Sequence, residues 1–266
     1  MTRLNLAFSP CPNDTFMFHA MLHGLVETAG LDFVPRLLDI DTLNEEAFAG
    51  ASEITKLSCF AYLKLKDSYT LLESGAALGF GCGPLVVTTK AGGLTPDDVI
   101  AIPGELTTAN LLLKLWDHDR HPTVVTRFDA ILDGVAAGRY GAGLIIHEGR
   151  FVYQDHGCRK LVDLGQWWEE LTGLPIPLGC IAVRNDSPAL AHKIQVEAIL
   201  KDSIHYAFNL PERSRDYIKQ HAREMEDAVI TEHIKLYVNE FSLNMGATGK
   251  RAINRLEEMA KWANVL

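Results

Sequence analysis

The chain has 266 residues, of which 47% are hydrophobic and 22% charged, values typical of a globular protein that exclude extensive disorder. Its 25 Lys and Arg residues and 34 Asp and Glu residues give a net charge of −9, which argues against a nucleic-acid partner. The longest stretch free of charged, Asn, Gln and His residues is 74–89, which is too short and too rich in glycine to span a membrane.

The start of the chain and the cysteines predict a cytoplasmic protein. Residues 1–8 carry only Arg3 before a short apolar run, and prolines follow at once, which does not fit a secretory signal peptide. The five cysteines are odd in number and widely spaced, with no Cys-x-x-Cys pair. Reduced thiols are therefore expected, without disulfides or a structural metal.

Short apolar runs alternate with helical patterns along the first ninety residues. The runs predict strands at 3–8, 31–38, 53–57, 69–73 and 84–88. Helices are expected at 42–49, at 58–65, and from a cap at Asn13 or Asp14 to about residue 23. Pro35 within the second run indicates an edge strand or a bend. This alternation predicts an α/β protein with a parallel or mixed sheet covered by helices.

The pattern continues to about residue 183 and then becomes mainly helical. Further strands are expected at 99–102, 123–126, 143–146 and 178–183, and helices at 109–116 and 129–138. The segment from Thr95 to Asp98 predicts a helix start, because a hydroxyl, a proline and two acids occur in order. A long helix is expected after Pro188, with Leu190, Ile194 and Ala198 on its buried face. An amphipathic helix is expected from about Lys250.

This layout predicts two α/β lobes. The first would combine residues 1–89 with 178–266, and the second, 90–177, would be inserted into it. The two crossings, near 88–91 and 175–179, would leave a cleft between the lobes, which is a common place for a small ligand.

Two strand-to-helix junctions carry polar residues that suit a carboxylate ligand. Lys56 and Ser58 stand where a strand runs into a helix, and Thr107 and Thr108 open an apolar helix after Gly104. Helix N-termini at the carboxyl ends of strands offer unpaired N–H donors to anions. The three hydroxyl residues could equally be ordinary helix caps, so both interpretations stay open.

A third junction places His147 at the end of an apolar strand, followed by Glu148 and Gly149. With an ordinary pKa near ~6.5, a histidine there suits a general base at neutral pH. The alternative is a structural histidine bonded to a loop carbonyl. Other histidines, such as His19 and His121, are expected in helix packing or solvated turns rather than at a metal.

Several of these segments together resemble one protein family. The string Ser-Pro-Cys-Pro-Asn-Asp-Thr-Phe at residues 9–16 is the most distinctive. Together with Lys56-Leu57-Ser58, Thr107-Thr108-Ala109 and Ile146-His147-Glu148, it resembles the 1,4-dihydroxy-6-naphthoate synthases of the futalosine route to menaquinone. The resemblance spans nearly the whole chain.

The resemblance implies a type II periplasmic-binding-protein-like fold, with two α/β lobes and a ligand cleft between them. It implies a carbon–carbon lyase without a cofactor, acting on cyclic dehypoxanthine futalosine, an aromatic carboxylate joined to a sugar-derived ring. The positions match residue by residue: Lys56, Leu57 and Ser58 in the first substrate-contacting segment, Thr108 and Ala109 in the second, and His147 as proton acceptor. From their place beside the cleft, Thr107, Asn13 and Asp14 are also expected to contact substrate.

Two other functions stay open. A chorismate dehydratase of the same pathway would share the fold, but the string at residues 9–16 argues against it. A solute-binding protein would capture a small carboxylate without chemistry, and the expected lack of an export signal argues against that. The sequence carries no indication of the oligomeric state.

Overall fold

The strands form two separate sheets in the computed structural model, which describes residues 2–222 and 226–266. The first sheet contains β1 (Thr2–Phe8), β2 (Leu31–Leu37), β3 (Ile54–Ser58), β4 (Tyr69–Leu71), β5 (Ala77–Gly79) and β11 (Ile176–Arg184). Its order is β2-β1-β3-β11-β4, with β5 also paired to β11. The pairs of β1 with β2 and β3 are parallel, whereas the pairs made by β11 are antiparallel. Strand β2, which contains Pro35, lies at the edge as expected.

The second sheet is formed by a continuous part of the chain. It contains β6 (Leu85–Thr88), β7 (Ile100–Ile102), β8 (Thr123–Val125), β9 (Ala142–Ile145) and β10 (Arg159–Asp163), in the order β10-β6-β9-β7-β8. Strand β7 is parallel to β8 and β9, and β6 is antiparallel to β9 and β10. Both sheets are thus mixed, and the α/β class predicted from the sequence is confirmed.

Helices cover the sheets and follow most of the strands. Those of the first two thirds are α1 (Pro12–Leu22), α2 (Ile40–Phe48), α3 (Cys59–Lys64), α4 (Thr108–Asp117), α5 (Ile131–Ala136), α6 (Gly149–Val152) and α7 (Leu164–Thr172). The C-terminal helices are α8 (Pro188–Ala191), α9 (Lys193–Asn209), α10 (Arg215–His221), α11 (Asp227–Tyr237), α12 (Glu240–Leu243) and α13 (Gly246–Trp262). Short 3-10 turns occur at Phe128–Ala130 and Pro211–Ser214. Among the helices described, none is both long and apolar enough to cross a bilayer.

One apolar cluster joins the two sheets. It includes Leu57 and Cys180 of the first sheet together with Val86 and Leu144 of the second. Trp168 of α7 is wholly buried in the same cluster, and its indole N–H donates to the carbonyl of Pro175. Burial of side chains from both sheets in one cluster holds the two sheets close together.

Two sequence predictions about helices are wrong. The segment from Thr95 to Asp98 is a turn in which the Asp98 carboxylate accepts hydrogen bonds from the backbone N–H and the hydroxyl of Thr95. The expected long helix after Pro188 breaks at His192, where α8 ends and α9 begins. The predicted buried face is wrong as well, because Ile194 is 84% exposed and Leu190, which precedes the break, is also exposed.

The division into lobes at residues 89 and 178 stays a prediction. Strand β6 pairs within the second sheet although the sequence prediction gave it to the first lobe. Strand β11 begins at Ile176 and pairs within the first sheet. We therefore propose that the crossings lie just before Leu85 and just before Ile176.

Candidate active site

A cleft of about 640 Å³, part of it open to solvent, lies beside the segments that follow β1, β3, β7 and β9. Small ligands of α/β proteins commonly bind beyond the carboxyl ends of strands. The cleft is lined by eight of the residues singled out in the sequence: Asn13, Asp14, Lys56, Ser58, Thr107, Thr108, Ala109 and His147. Residues that end or follow strands of both sheets thus meet in one place.

Leu57 is the predicted site residue that does not line the cleft. It is wholly buried in the apolar cluster that joins the sheets. Side chains alternate between the two faces of a strand, so Lys56 and Ser58 reach the cleft while Leu57 points into the core. Only the backbone of Leu57 is left to contact a ligand.

A buried ion pair crosses the floor of the cleft. Lys56 Nζ lies 2.7 Å from Asp14 Oδ1, and the two side chains are 5% and 0% exposed. The other carboxylate oxygen of Asp14 accepts from the hydroxyl of Ser9 at 2.6 Å and from its backbone N–H at 3.2 Å. Because the positive charge of Lys56 already has this partner, the pair fixes the shape of the cleft floor.

The expected capping role of Asn13 and Asp14 is wrong. Helix α1 begins at Pro12, whose missing N–H costs nothing at the first helical position, and Cys11 is the extended residue before it. Asn13 instead donates to Asp14 Oδ1 at 2.9 Å, and its carbonyl oxygen lies 3.0 Å from His233 Nε2. These two side chains therefore organise buried contacts at the start of α1.

Ser58 is the last residue of β3, and Asn44 fixes the position of its hydroxyl. Asn44 of α2 donates from its amide to Ser58 Oγ at 3.0 Å and accepts from the Ser58 backbone N–H at 2.9 Å. Ser58 does not cap α3 with its side chain. The hydroxyl oxygen is thus oriented by Asn44, and its own hydrogen can be donated to a ligand in the cleft.

Thr107 and Thr108 divide two tasks at the start of α4. Thr107 is the N-cap, and its hydroxyl accepts from the backbone N–H of Asn110. The Thr108 hydroxyl accepts from the N–H of Phe60 at 3.1 Å and donates to the carbonyl of Leu178 at 2.8 Å. The cap interpretation is thus right for Thr107, whereas Thr108 connects α4 to the first sheet.

His147 stands at a turn between β9 and α6, with a backbone φ of +54°. This left-handed conformation is uncommon for residues other than glycine, and Asn, Asp and His adopt it more often than the rest. Its Nδ1 lies 3.3 Å from the Sγ of Cys11, which precedes α1 in the other half of the structure. The ring also contacts Phe128, with ring centroids 5.2 Å apart. These contacts hold the imidazole at the wall of the cleft.

Four functional candidates around His147 were missed in the sequence. Cys11 touches its ring, and Glu148 follows it in the chain. His233 of α11 is wholly buried, and its ring is parallel to that of His147 with centroids 6.1 Å apart. Tyr237 lines the cleft one turn further along α11. His233 and Tyr237 follow Ile230 by three and seven residues, a spacing that places all three on one buried face of α11. This spacing is the sequence signal that could have pointed to them.

Burial disfavours the charged forms of these groups. Desolvation, followed by the charge of Glu148, raises the pKa of the Cys11 thiol well above its ordinary value. Desolvation lowers the pKa of His233 well below its ordinary value, and the neighbouring His147 and Lys56 lower it further. Burial also raises the pKa of the Tyr237 hydroxyl. Cys11, His233 and Tyr237 are therefore neutral at physiological pH.

Asp41 of α2 lies directly against the turn that leads into α4. A Cβ atom placed on Gly104 would come within 1.8 Å of Asp41 Oδ1, so only glycine allows this approach. Burial, together with the charges of Glu45 and Glu105, raises the pKa of Asp41 from 3.8 to about 6. The folded chain therefore holds this proton more tightly than the unfolded chain.

The raised pKa of Asp41 makes stability depend on pH. Its favourable contribution is complete below the unfolded pKa of about 4 and is lost as pH rises through about 6. Asp41→Asn, which keeps the shape and removes the charge, is expected to raise the melting temperature at pH 8 more than at pH 4. Thermal unfolding at both pH values tests this, with the exposed Asp155→Asn as control. An equal effect of Asp41→Asn at both pH values would contradict the raised pKa of Asp41.

Solved structures identify the fold class of this chain. A protein from Archaeoglobus fulgidus is 36% identical with a TM-score of 0.91, and the match covers 99% of this chain and 98% of that one. A Candida albicans protein described as having the generic periplasmic binding protein fold is 14% identical with a TM-score of 0.75. That match covers 100% of this chain and 91% of the other. The molecule is thus a periplasmic-binding-protein-like α/β protein, as the resemblance implied.

Sequence comparisons are more specific. A family model described as menaquinone biosynthesis matches residues 4–262. A Thermus thermophilus protein named 1,4-dihydroxy-6-naphthoate synthase is 47% identical, covering 96% of this chain and 93% of the relative. A Streptomyces coelicolor protein of the same name is 44% identical, covering 95% and 91%. The chain belongs to this menaquinone-biosynthesis family, and the resemblance found in its motifs is confirmed.

Proposed function

We propose that this chain is a cytoplasmic carbon–carbon lyase that converts cyclic dehypoxanthine futalosine to 1,4-dihydroxy-6-naphthoate. The observation that carries the proposal is the meeting of His147, Ser58 and Thr108 in one cleft, although they follow strands of two different sheets. The names of the two relatives, 47% and 44% identical over nearly the whole chain, support the same reaction.

His147 is the proposed general base. A base must present an unprotonated nitrogen to the substrate, and Cys11 already occupies Nδ1. With a hydrogen on Nδ1 pointing at the Cys11 sulfur, Nε2 keeps its lone pair and accepts the substrate proton. Loss of that proton starts an elimination that releases the sugar-derived fragment, and formation of the aromatic naphthoate supplies driving force.

The substrate carboxylate is proposed to bind between the two halves of the cleft. The first N–H groups of α4, at Thr108 and Ala109, have no acceptor within the helix and can donate to an anion. The Ser58 hydroxyl, oriented by Asn44, donates from the opposite side. With a net charge of −9 over the chain, such local donors are needed to hold an anion.

The apolar lining of the cleft completes the proposal. Ile40, Ile146 and Leu178 flank the polar groups, and a substrate packed against them would displace water from the reacting atoms. Exclusion of water strengthens the hydrogen bonds to the carboxylate and leaves His147 as the main proton acceptor within reach. In this proposal positioning, a base and a dry cleft suffice, and no cofactor takes part.

The direct test is incubation of the purified protein with cyclic dehypoxanthine futalosine and, separately, with chorismate. Mass spectrometry should detect 1,4-dihydroxy-6-naphthoate in the first mixture and unchanged chorismate in the second. Consumption of chorismate would favour the dehydratase instead. Binding of either compound without conversion would favour a solute-binding protein and contradict the proposed lyase.

Ser58→Ala is expected to weaken binding of the naphthoate product by roughly 1–3 kcal/mol, the scale of a lost hydrogen bond to a charged group. Isothermal titration calorimetry measures the affinity. Ser52→Ala is the matched control, because Ser52 is also a buried serine and does not line the cleft. Unchanged affinity in Ser58→Ala would show that the carboxylate binds elsewhere.

A further inference from the structure

Three metal-ligating side chains meet at the wall of the cleft. One donor atom from each of Cys11, His147 and Glu148 lies within 4.8 Å of the others. Cys11 Sγ and His147 Nδ1 are 3.3 Å apart. In a tetrahedral zinc site with ordinary bond lengths, a sulfur and a nitrogen ligand are about 3.5 Å apart. Small movements of these side chains would therefore place a metal ion between them.

A fourth donor, on α11, lies next to Glu148. His233 is wholly buried, and its Nδ1 has no hydrogen-bond partner among the residues that the structure describes. That atom lies 3.9 Å from Glu148 Oε2. The other ring nitrogen of His233 lies 3.0 Å from the Asn13 carbonyl oxygen, which accepts its hydrogen. A hydrogen bond of this kind fixes the tautomer that leaves Nδ1 free to bind a metal.

We propose that Cys11, His147, Glu148 and His233 form a Zn²⁺-binding site. One sulfur, one oxygen and two nitrogens suit a borderline-soft, tetrahedral cation. The Cys11 thiolate and the Glu148 carboxylate would neutralise its two charges, and Cys11 gives up its proton when the metal binds. No local sequence pattern indicates this site, because its ligands come from three distant segments of the chain.

Zn²⁺ at this site inhibits the enzyme. A neutral imidazole bound to metal through Nδ1 carries its hydrogen on Nε2, so His147 can no longer accept the substrate proton there. Since Ser58 and the start of α4 are not ligands, turnover should fall while the Michaelis constant changes little. This inhibitory effect rests on the proposed function, whereas metal binding itself does not.

Binding can be measured without any substrate. Chelator-treated, reduced full-length protein is titrated with ZnCl₂ in a calorimeter and with CoCl₂ in a spectrophotometer. We expect one Zn²⁺ per chain, and Co²⁺ should show thiolate-to-metal charge transfer in the near ultraviolet. Cys11→Ser and Glu148→Gln should each weaken Zn²⁺ binding by at least about 100-fold. Loss of a residue that only hydrogen-bonds to a metal ligand usually costs less than this.

Two variants serve as matched controls. Cys158→Ser removes another buried cysteine, and His121→Gln removes a histidine that pairs with Asp117 at 2.7 Å. Both should bind Zn²⁺ like the unaltered protein. Unchanged affinity in Cys11→Ser and Glu148→Gln, or a Co²⁺ spectrum without the thiolate band, would overturn the site. If a variant fails to fold, the presence or absence of the thiolate band in the Co²⁺ spectrum of the unaltered protein tests the site.

Activity separates this site from the proposed function. Added Zn²⁺ should lower turnover of cyclic dehypoxanthine futalosine, and a chelator should restore it. If the protein binds Zn²⁺ but converts no substrate, the metal site is supported and the proposed lyase activity is rejected. If saturating Zn²⁺ leaves turnover unchanged, Zn²⁺ is not an inhibitor. If the protein turns over substrate but binds no Zn²⁺, the metal site is rejected and the proposed function stands.

Discussion

His147→Asn is expected to lower turnover by roughly 10²–10⁴-fold, the usual cost of losing a general base. The Michaelis constant should change little, because the proposed carboxylate contacts at Ser58 and α4 are untouched. Asparagine is the appropriate replacement because it adopts the left-handed conformation that His147 has, with φ of +54°. The backbone turn should therefore survive the substitution.

Steady-state kinetics and circular dichroism together check this expectation. His192→Asn is the control, because His192 contacts Gln195 at the surface-facing start of α9 and lies outside the cleft lining. It should retain the activity of the unaltered protein. Turnover of His147→Asn within about threefold of that level would reject His147 as the base, since a lost base costs far more.

Lys56→Met is expected to destabilise the folded chain by about 3–5 kcal/mol, because it leaves the buried Asp14 carboxylate without its cation. Methionine preserves most of the apolar stem, so lost packing contributes little. The double variant Lys56→Met, Asp14→Asn removes both charges and should recover part of the loss. Urea unfolding of the two variants measures the difference.

An exposed ion pair provides the comparison. Lys235 and Glu232 lie 2.9 Å apart with side chains 67% and 58% exposed, so Lys235→Met should cost less than about 1 kcal/mol. Similar losses in Lys56→Met and Lys235→Met would contradict the importance of burial. A double variant no more stable than Lys56→Met would show that the Asp14 charge is not the source of the loss.

The parts of the site that could be predicted are those that depend on local sequence. Ser58 and His147 stand where apolar runs end, and the carboxyl ends of strands are where ligands bind in α/β proteins. Thr107 was correctly offered as a cap, because a hydroxyl before an apolar helix has few other roles. Pro35 indicated an edge strand or a bend, and β2 lies at the edge.

The parts that were missed depend on how distant segments meet. The contact between Cys11 and His147 joins residues 136 apart in the chain, and no local pattern carries that information. His233 lies on a buried helix face where a histidine is most simply interpreted as packing. The exposed Ile194 shows a different limit, because α9 buries the face that carries Val196 and Leu200, and helical spacing alone does not tell which face packs.

The position of β11 has a consequence for the order in which the chain can assemble. In the first sheet, β11 (Ile176–Arg184) is placed between β3 and β4, which are synthesised much earlier. In the sequence, all five strands of the second sheet come after β4 and before β11. During synthesis from the N-terminus, the second sheet can therefore be complete while β3 and β4 still lack their shared neighbour. Closing that gap requires long-range pairing, which is slow. Until Arg184 leaves the ribosome, β3 presents an open edge to other chains, and this interval is when a nascent chain is most prone to aggregate.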